Sequence, residues 1–284
     1  MTDNTEILEE YKDFVFDSKE TKNTAVSYFS NVQRAVSEIG KNISDISEAD
    51  ITDYFELKKK TLKPSTIRLM RASLKDFLVF IESDIQINVK MPRVQIEAHA
   101  IPSKSDFKKI LFYSGQKRGY EGLRNKTILS VLYHSGLRID ETRCLELDDI
   151  DLDERLIYVF GKGAKRRAVP INDTLYSVLS DYINVRLSVS SSKHLFVSAG
   201  KNHKGSIISY GAFRAIVKSA CKDAGFSNLS PYCFRHAFCT NLIRSGASFS
   251  VVACMMGHSD TSSLMAYFVP DNLDGREAVK ALNF

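Results

Sequence analysis

The stretch Leu156-Ile-Tyr-Val-Phe-Gly-Lys-Gly-Ala-Lys-Arg-Arg-Ala-Val-Pro-Ile171 holds the one clear β signal in the chain. Two short runs of β-branched and apolar residues flank the turn Gly161-Lys162-Gly163, the pattern of a hairpin. On either side of it, apolar residues recur at intervals of three and four, the period of a helix with one buried face. The spacing predicts a mainly α fold with a small β-hairpin or sheet set into it.

Upstream, helices are expected over 5–16, with Ile7, Leu8, Tyr11, Phe14 and Val15 on one face, and over 24–39, with Val26, Phe29, Val32, Val36 and Ile39. Gly40 is a natural stop for the second. Ser47 is placed to cap a third helix that has acids in its first turn. Pro64 opens a fourth, through Ile67, Leu69, Met70, Leu74, Phe77, Leu78 and Phe80, since proline is well tolerated in a first turn. Four short helices make a bundle that could fold alone. Between Ile85 and Ser103 the periodicity lapses, and Pro92 and Pro102 bracket the gap. The expected organisation is an N-terminal helical domain over 1–90, a linker over 91–102, and a second domain over 103–284. Ser103 caps the opening helix of that domain, through Phe107, Ile110 and Leu111, and another helix runs from about Arg124 to His134. After Asn172 helical periodicity returns.

At 284 residues the chain is long enough to bury a core without staples. With 44% hydrophobic and 26% charged residues it is neither disordered nor fibrous. No window approaches the roughly 18 apolar residues of a membrane span. The acidic opening Met1-Thr-Asp-Asn-Thr-Glu lacks the basic and apolar regions of a secretory signal. Five cysteines with no CxxC pair predict reduced, buried thiols in a cytoplasmic protein, with no metal site. The net charge of +5 is unevenly spread. The first fifty residues are acidic; then Lys58, Lys59, Lys60, Lys63, Arg68, Arg71 and Lys75 follow closely. That stripe reads either as the footprint of a polyanion or as a solvated helix face.

Four segments of the second domain carry candidate chemistry. Ser135-Gly-Leu-Arg-Ile-Asp-Glu-Thr-Arg143 ends one helix at a glycine and opens the next at Arg138, where a guanidinium and free backbone N–H groups suit a phosphate. The structural alternative is an ion pair of Arg138 with Asp140 or Glu141. Lys162 sits between two glycines, which allows close approach to another molecule; most such turns are simply solvated. Ser230-Pro-Tyr-Cys-Phe-Arg-His236 starts a helix with Tyr232 and Arg235 on a shared face and His236 elsewhere. Met256-Gly-His258-Ser-Asp260 ends a helix, and Tyr267 follows nine residues after His258. A lone histidine or tyrosine on such a helix is usually structural.

Together these segments resemble the tyrosine recombinases, the phage integrase family. The family pattern is an arginine in a GLRxxE-like segment, a lysine in a hairpin GKG, a His-x-x-Arg helix start, a GH segment, and a nucleophilic tyrosine nine residues on. This chain reads GLRIDE, GKG, YCFR, GHS and Tyr267, in that order, and its Arg138-to-Lys162 interval is also similar. The resemblance spans the whole chain, since a four-helix, core-binding DNA-binding domain is the family's usual first half. With no length left for an arm-binding domain, it is most like the Xer or simple integrase branch.

The resemblance implies a site-specific recombinase that breaks DNA through a 3′-phosphotyrosine. Tyr267 would be the nucleophile. Arg138 and Arg235 would clamp phosphate oxygens, His258 would donate a further bond, and Lys162 would protonate the departing 5′-oxygen. Glu141 would support Arg138 and His258 from behind. Neither metal nor ATP nor any other cofactor is implied. Tyr232 is the departure: it stands where the family usually has histidine, and a phenol is a poor base near neutrality. Lys63, Arg68, Arg71 and Lys75 are the candidate phosphate contacts of the N-terminal domain, which the resemblance closes around DNA as half of a clamp. The expected partners are double-stranded DNA with inverted-repeat sites and three further copies in a homotetramer, with Val279, Leu282 and Phe284 of the tail docking on a neighbour. Two other readings remain: a monomeric enzyme that nicks and reseals DNA in the manner of type IB topoisomerases, and a DNA-binding regulator with a weakened site. A requirement for an inverted repeat separates the first from recombination; the absence of a covalent adduct marks the second.

Overall fold

A computed structural model describes residues 4–19, 21–91, 101–116, 119–160, 166–200 and 204–257. The chain divides into two compact units, 1–96 and 97–284. Residues 92–100, most of the segment read as a linker, lie outside the described residues.

Among its described residues the first unit holds four α-helices, α1 (Asn4–Ser18), α2 (Lys22–Ile39), α3 (Glu48–Lys59) and α4 (Pro64–Phe80). Each begins where its capping chemistry dictates. Thr21 accepts a bond from the Thr24 N–H at the start of α2. Ser47 and Asp50 exchange side-chain-to-backbone bonds at the start of α3, satisfying two otherwise orphaned donors. Pro64 occupies the first turn of α4. The apolar stripes meet in one core of Tyr11, Val15, Val32, Val36, Ile51, Phe55, Ile67, Met70, Leu74 and Phe77. The hydroxyl of buried Tyr11 donates to Asp76 at 3.0 Å, so the ring is buried without an unmet polar atom.

The second unit is built on α5 (Lys104–Ser114), α6 (Tyr120–Ser135), α7 (Ile139–Cys144), α8 (Asp173–Val189), α9 (Tyr210–Asp223), α10 (Pro231–Arg244) and α11 (Phe249–Met256). Ser103 caps α5 with a reciprocal Asp106 bond. Helix α6 starts four residues earlier than its periodicity suggests. It is buried on several faces, through Ile128, Leu129, Val131 and Leu132, as expected of a helix at the centre of a domain rather than on its rim. The hairpin is present as β2 (Leu156–Phe160) and β3 (Arg166–Pro170), antiparallel and paired Val159 to Arg167. A strand absent from the sequence reading, β1 (Ile150–Asp151), adds to the free edge of β2. Two residues carry no periodicity of their own; pairing alone makes them a strand. Among the described residues no helix is long and apolar enough to cross a membrane.

The cysteines correct one expectation. All five are unpaired thiols, but only Cys221, Cys233 and Cys239 are buried; Cys144 and Cys254 are exposed. Burial pushes Cys221 up to about 12 and Cys239 up to about 11, which leaves both as inert thiols.

Candidate active site

Gly136 and Gly257 build the frame. Both end helices, α6 and α11, in the left-handed region, at φ 62° and 64°. Each also admits a neighbour. A Cβ on Gly136 would sit 2.9 Å from Phe238 Cγ, and one on Gly257 would sit 2.9 Å from Arg167 Nη1. Neither position accepts a larger residue without displacing what packs there.

The turn at Gly136 delivers Arg138 to the start of α7. Its side chain is 45% exposed, and its Nη1 donates to Glu141 Oε1 at 2.8 Å. The Arg138 backbone N–H donates to Glu141 Oε2 at 2.7 Å. That donor, which the sequence reading left open for a phosphate, is therefore taken by the helix's own carboxylate. Asp140 pairs with Arg143 instead.

Arg235 reaches the same point from α10. It is only 3% exposed. Its Nη1 donates to Gly136 O at 2.7 Å and its Nη2 to Met256 O at 2.6 Å. These are carbonyls at the C-terminal ends of α6 and α11, where a cation is favoured and where unsatisfied acceptors need partners. Arg235 thus ties two helix ends together, across 99 residues of sequence, while still bordering the open hollow beside Arg138. Beyond the phosphate contact expected of it, the packing gives Arg235 a structural duty, because a buried guanidinium must place its five donors.

Leu137, Arg138, Ile139, Tyr210, Arg214, Ser230, Pro231, Tyr232 and Arg235 line this hollow, of about 450 Å³. Tyr232 is 47% exposed in the first turn of α10. His236 is buried, yet its ring stands edge-on to Tyr232 with centroids 6.3 Å apart. The two are one turn apart on the same helix, so His236 shares a face with Tyr232, contrary to the expectation that it points elsewhere.

Glu141 lies behind Arg138, 10% exposed. Burial pushes its carboxyl up, but hydrogen bonds from Arg167 and the Arg138 N–H, with the charges of both arginines, outweigh it and hold it below the ordinary value. Arg235 Nη1 stands 3.9 Å from Glu141 Oε2. Three arginines therefore surround one carboxylate, and the cluster keeps a net positive charge. Arg167, Tyr210 and Arg214 were missed as site residues. Tyr210 and Arg214 open α9, where nothing local distinguishes them. Arg167 had a signal: it alternates with exposed Arg166 and Ala168 and shares the inward face of β3 with buried Val169. A charge on a buried strand face announces a partner.

Lys162, His258 and Tyr267 lie outside the described residues, as does the tail with Val279, Leu282 and Phe284. In the first unit, Arg68, Arg71 and Lys75 line a separate hollow of about 410 Å³. Arg71 donates to Ile87 O at 3.1 Å and is half-buried, so part of its bonding capacity serves the fold. Lys63 is exposed before α4 and does not line that hollow. Among the described residues no three His, Cys, Asp or Glu side chains are grouped to hold a metal ion.

A mainly helical unit that gathers arginines from distant segments beside an open hollow defines a site for a phosphate group. Residues 103–272 match the model of the phage integrase family. The tyrosine recombinase XerD of Listeria innocua is 30% identical over 228 residues, 77% of this chain and 76% of that one. XerC of Herpetosiphon aurantiacus is 27% identical over 258 residues, 87% and 84% of the two chains. Among solved structures, the Tn1549 transposon integrase in complex with transposon right end DNA superposes with a TM-score of 0.75 at 18% identity, over 98% of this chain and 99% of that one. The chain belongs to the phage integrase family and is a site-specific tyrosine recombinase of the Xer-like kind.

Proposed function

We propose that the chain cuts and rejoins double-stranded DNA through Tyr267. The Tyr267 oxygen gives up its proton to solvent and attacks phosphorus, forming a 3′-phosphotyrosine while the bond to the 5′-oxygen breaks. Lys162 gives that oxygen a proton. Arg138, Arg235 and His258 hold the phosphate oxygens as charge spreads over them in the transition state. The ester keeps the bond energy, so a 5′-hydroxyl from a second site can reverse the step and exchange strands. No cofactor enters this scheme, because the guanidinium groups supply the positive charge.

The observation that carries the reading is the convergence of Arg138 and Arg235 on Glu141 at a hollow that Tyr232 also lines. Lys63, Arg68, Arg71 and Lys75 add sequence-independent phosphate contacts in the domain over 1–90. The working assembly is a homotetramer on two inverted-repeat sites in the cytoplasm, with the C-terminal tail exchanged between neighbours. Accessory proteins are compatible with this scheme and are not specified by it. Structures of related recombinases bound to DNA sites support the DNA partner.

The test is covalent trapping. Wild type and Tyr267→Phe are incubated with nicked suicide substrates carrying candidate sites and run on a denaturing gel. An adduct lost in the variant supports the scheme. Binding to the site without an adduct refutes it in favour of a regulator, and adduct formation on DNA lacking any inverted repeat favours the nicking and resealing enzyme.

A further inference from the structure

We propose that Arg167 is a positioning residue for strand cleavage: it fixes Glu141, and through Glu141 it aims Arg138 at the scissile phosphate. This rests on the recombinase reading above and adds to it a residue that reading leaves without a role.

The geometry is unusually complete. Arg167 Nε donates to Met255 O at 3.0 Å, Nη1 to Glu141 Oε1 at 3.0 Å, and Nη2 to Glu141 Oε2 at 2.8 Å. The pair is bidentate, and both side chains are 10% exposed. Glu141 Oε1 also accepts from Arg138 Nη1, and Oε2 from the Arg138 backbone N–H. Each carboxylate oxygen thus has two donors, close to the most it can take. The carboxylate cannot rotate without breaking a charge-assisted bond, and Arg138 is tied through it to Arg167.

Arg167 is absent from the lining of the hollow, whereas Arg138 borders it. The two arginines therefore divide the work around Glu141. Arg167 takes both oxygens in the fork geometry that a guanidinium makes best. Arg138 gives Nη1 to Glu141 and Nη2, at 3.5 Å, to Gly257 O, and keeps nearly half its side chain exposed. Without Arg167 the buried carboxylate would have Arg138 as its principal counter-charge and would compete with phosphate for it. Gly257 enters the same arrangement, since a side chain there would strike the Arg167 guanidinium. Arg167 also lies one residue inside β3, so its bond to Met255 O pins that strand against the end of α11.

A simple cross-brace between β3 and α11 would explain the Met255 bond but would not depend on the protonation of Glu141. The experiment separates the two. Single-turnover rates of covalent-complex formation are measured against pH for wild type, Arg167→Met, Arg167→Lys, Glu141→Gln and the double variant Arg167→Met with Glu141→Gln, alongside DNA affinity and melting temperature. Arg167→Met is expected to slow cleavage about 100-fold, the scale of a misplaced catalytic group, with little change in DNA affinity. The acidic limb of its pH profile moves to higher pH, because the carboxyl loses the cation that keeps it charged. The double variant is no slower than the slower single variant, since both changes break one relay. If Arg167→Met does not fold, Arg167→Lys carries the test: it keeps the charge, gives up the fork, and shows a smaller slowing with the same direction of pH shift. An unchanged rate, or slowing that adds to that of Glu141→Gln with the pH profile unmoved, overturns the proposal. A wild type that forms no complex on its own site overturns the recombinase reading itself, before any variant is made.

Discussion

Replacing Gly136 by alanine tests the frame on which the site hangs. Gly136 sits at φ 62°, and an added Cβ would overlap the ring of Phe238, itself only 8% exposed. The left-handed conformation costs an alanine roughly 1–2 kcal/mol. Forcing a methyl group into a packed contact adds about 1–3 kcal/mol. Together these predict a loss of about 2–5 kcal/mol, the upper end applying if the Gly136 carbonyl moves away from the Arg235 Nη1 that it now binds at 2.7 Å. The matched control is Gly40→Ala, which also ends a helix in the left-handed region, at φ 70°, but with nothing within 4 Å of the new atom. It should lose only the conformational part. Urea unfolding of the full chain, followed by far-UV circular dichroism, reads both; the chain has no tryptophan to serve as a fluorescent probe. Phe238→Ala added to Gly136→Ala should cost less than the sum of the two single changes, because it opens the space the methyl group needs. A Gly136→Ala loss within about 0.5 kcal/mol of the Gly40→Ala loss would show that crowding against Phe238 carries no energy, and the account of this turn would fail.

Tyr232→His should retain or increase covalent-complex formation, because an imidazole accepts a proton near neutrality more readily than a phenol does; a loss as deep as that of Tyr267→Phe would refute the role given to this position. Replacing Arg68 and Lys75 by alanine should weaken DNA binding and flatten the plot of log affinity against log salt by about one for each phosphate left without its cation, and an unchanged slope rejects the assignment. Arg71→Ala should do the same while also lowering the melting temperature, since its bond to Ile87 O goes too. Burial lowers the His134 pKa below 6.5, and Asn172 Nδ2 stands 3.0 Å from its Nδ1. The unfolded ring therefore gains its proton first as pH falls, so stability should be level above about pH 6.5 and decline below it. His134→Asn should remove that decline, and a decline identical in both proteins would dismiss His134 as its source.

The helices were readable because what makes them is local. A capping serine three residues before an acid, a proline in a first turn, and an apolar residue every third or fourth position act within one or two turns of chain. Ser47, Ser103 and Pro64 stand where that chemistry places them. β1 was not readable, because two residues become a strand only by bonding to β2. Arg138 and Glu141 were recognisable as candidates by motif, three residues apart. Arg167 was visible on its strand yet had no legible role, since its partner lies 26 residues earlier and its other bond runs to Met255, 88 residues on.

By itself, then, the sequence determined the helical architecture, the hairpin, the order of the family's motif segments and the residue types available for phosphate chemistry. All of these follow from short-range spacing or from the identity of single side chains. Only the tertiary structure decided how the charges are shared. It buried Arg235 on two helix carbonyls, took the Arg138 N–H for Glu141, left the Arg138 side chain half exposed, and assigned Arg167 to the carboxylate. The physical reason is that a buried charge must find its partners in three dimensions, and the chain brings them from α7, β3 and α10, segments whose separation along the sequence carries no record of their meeting.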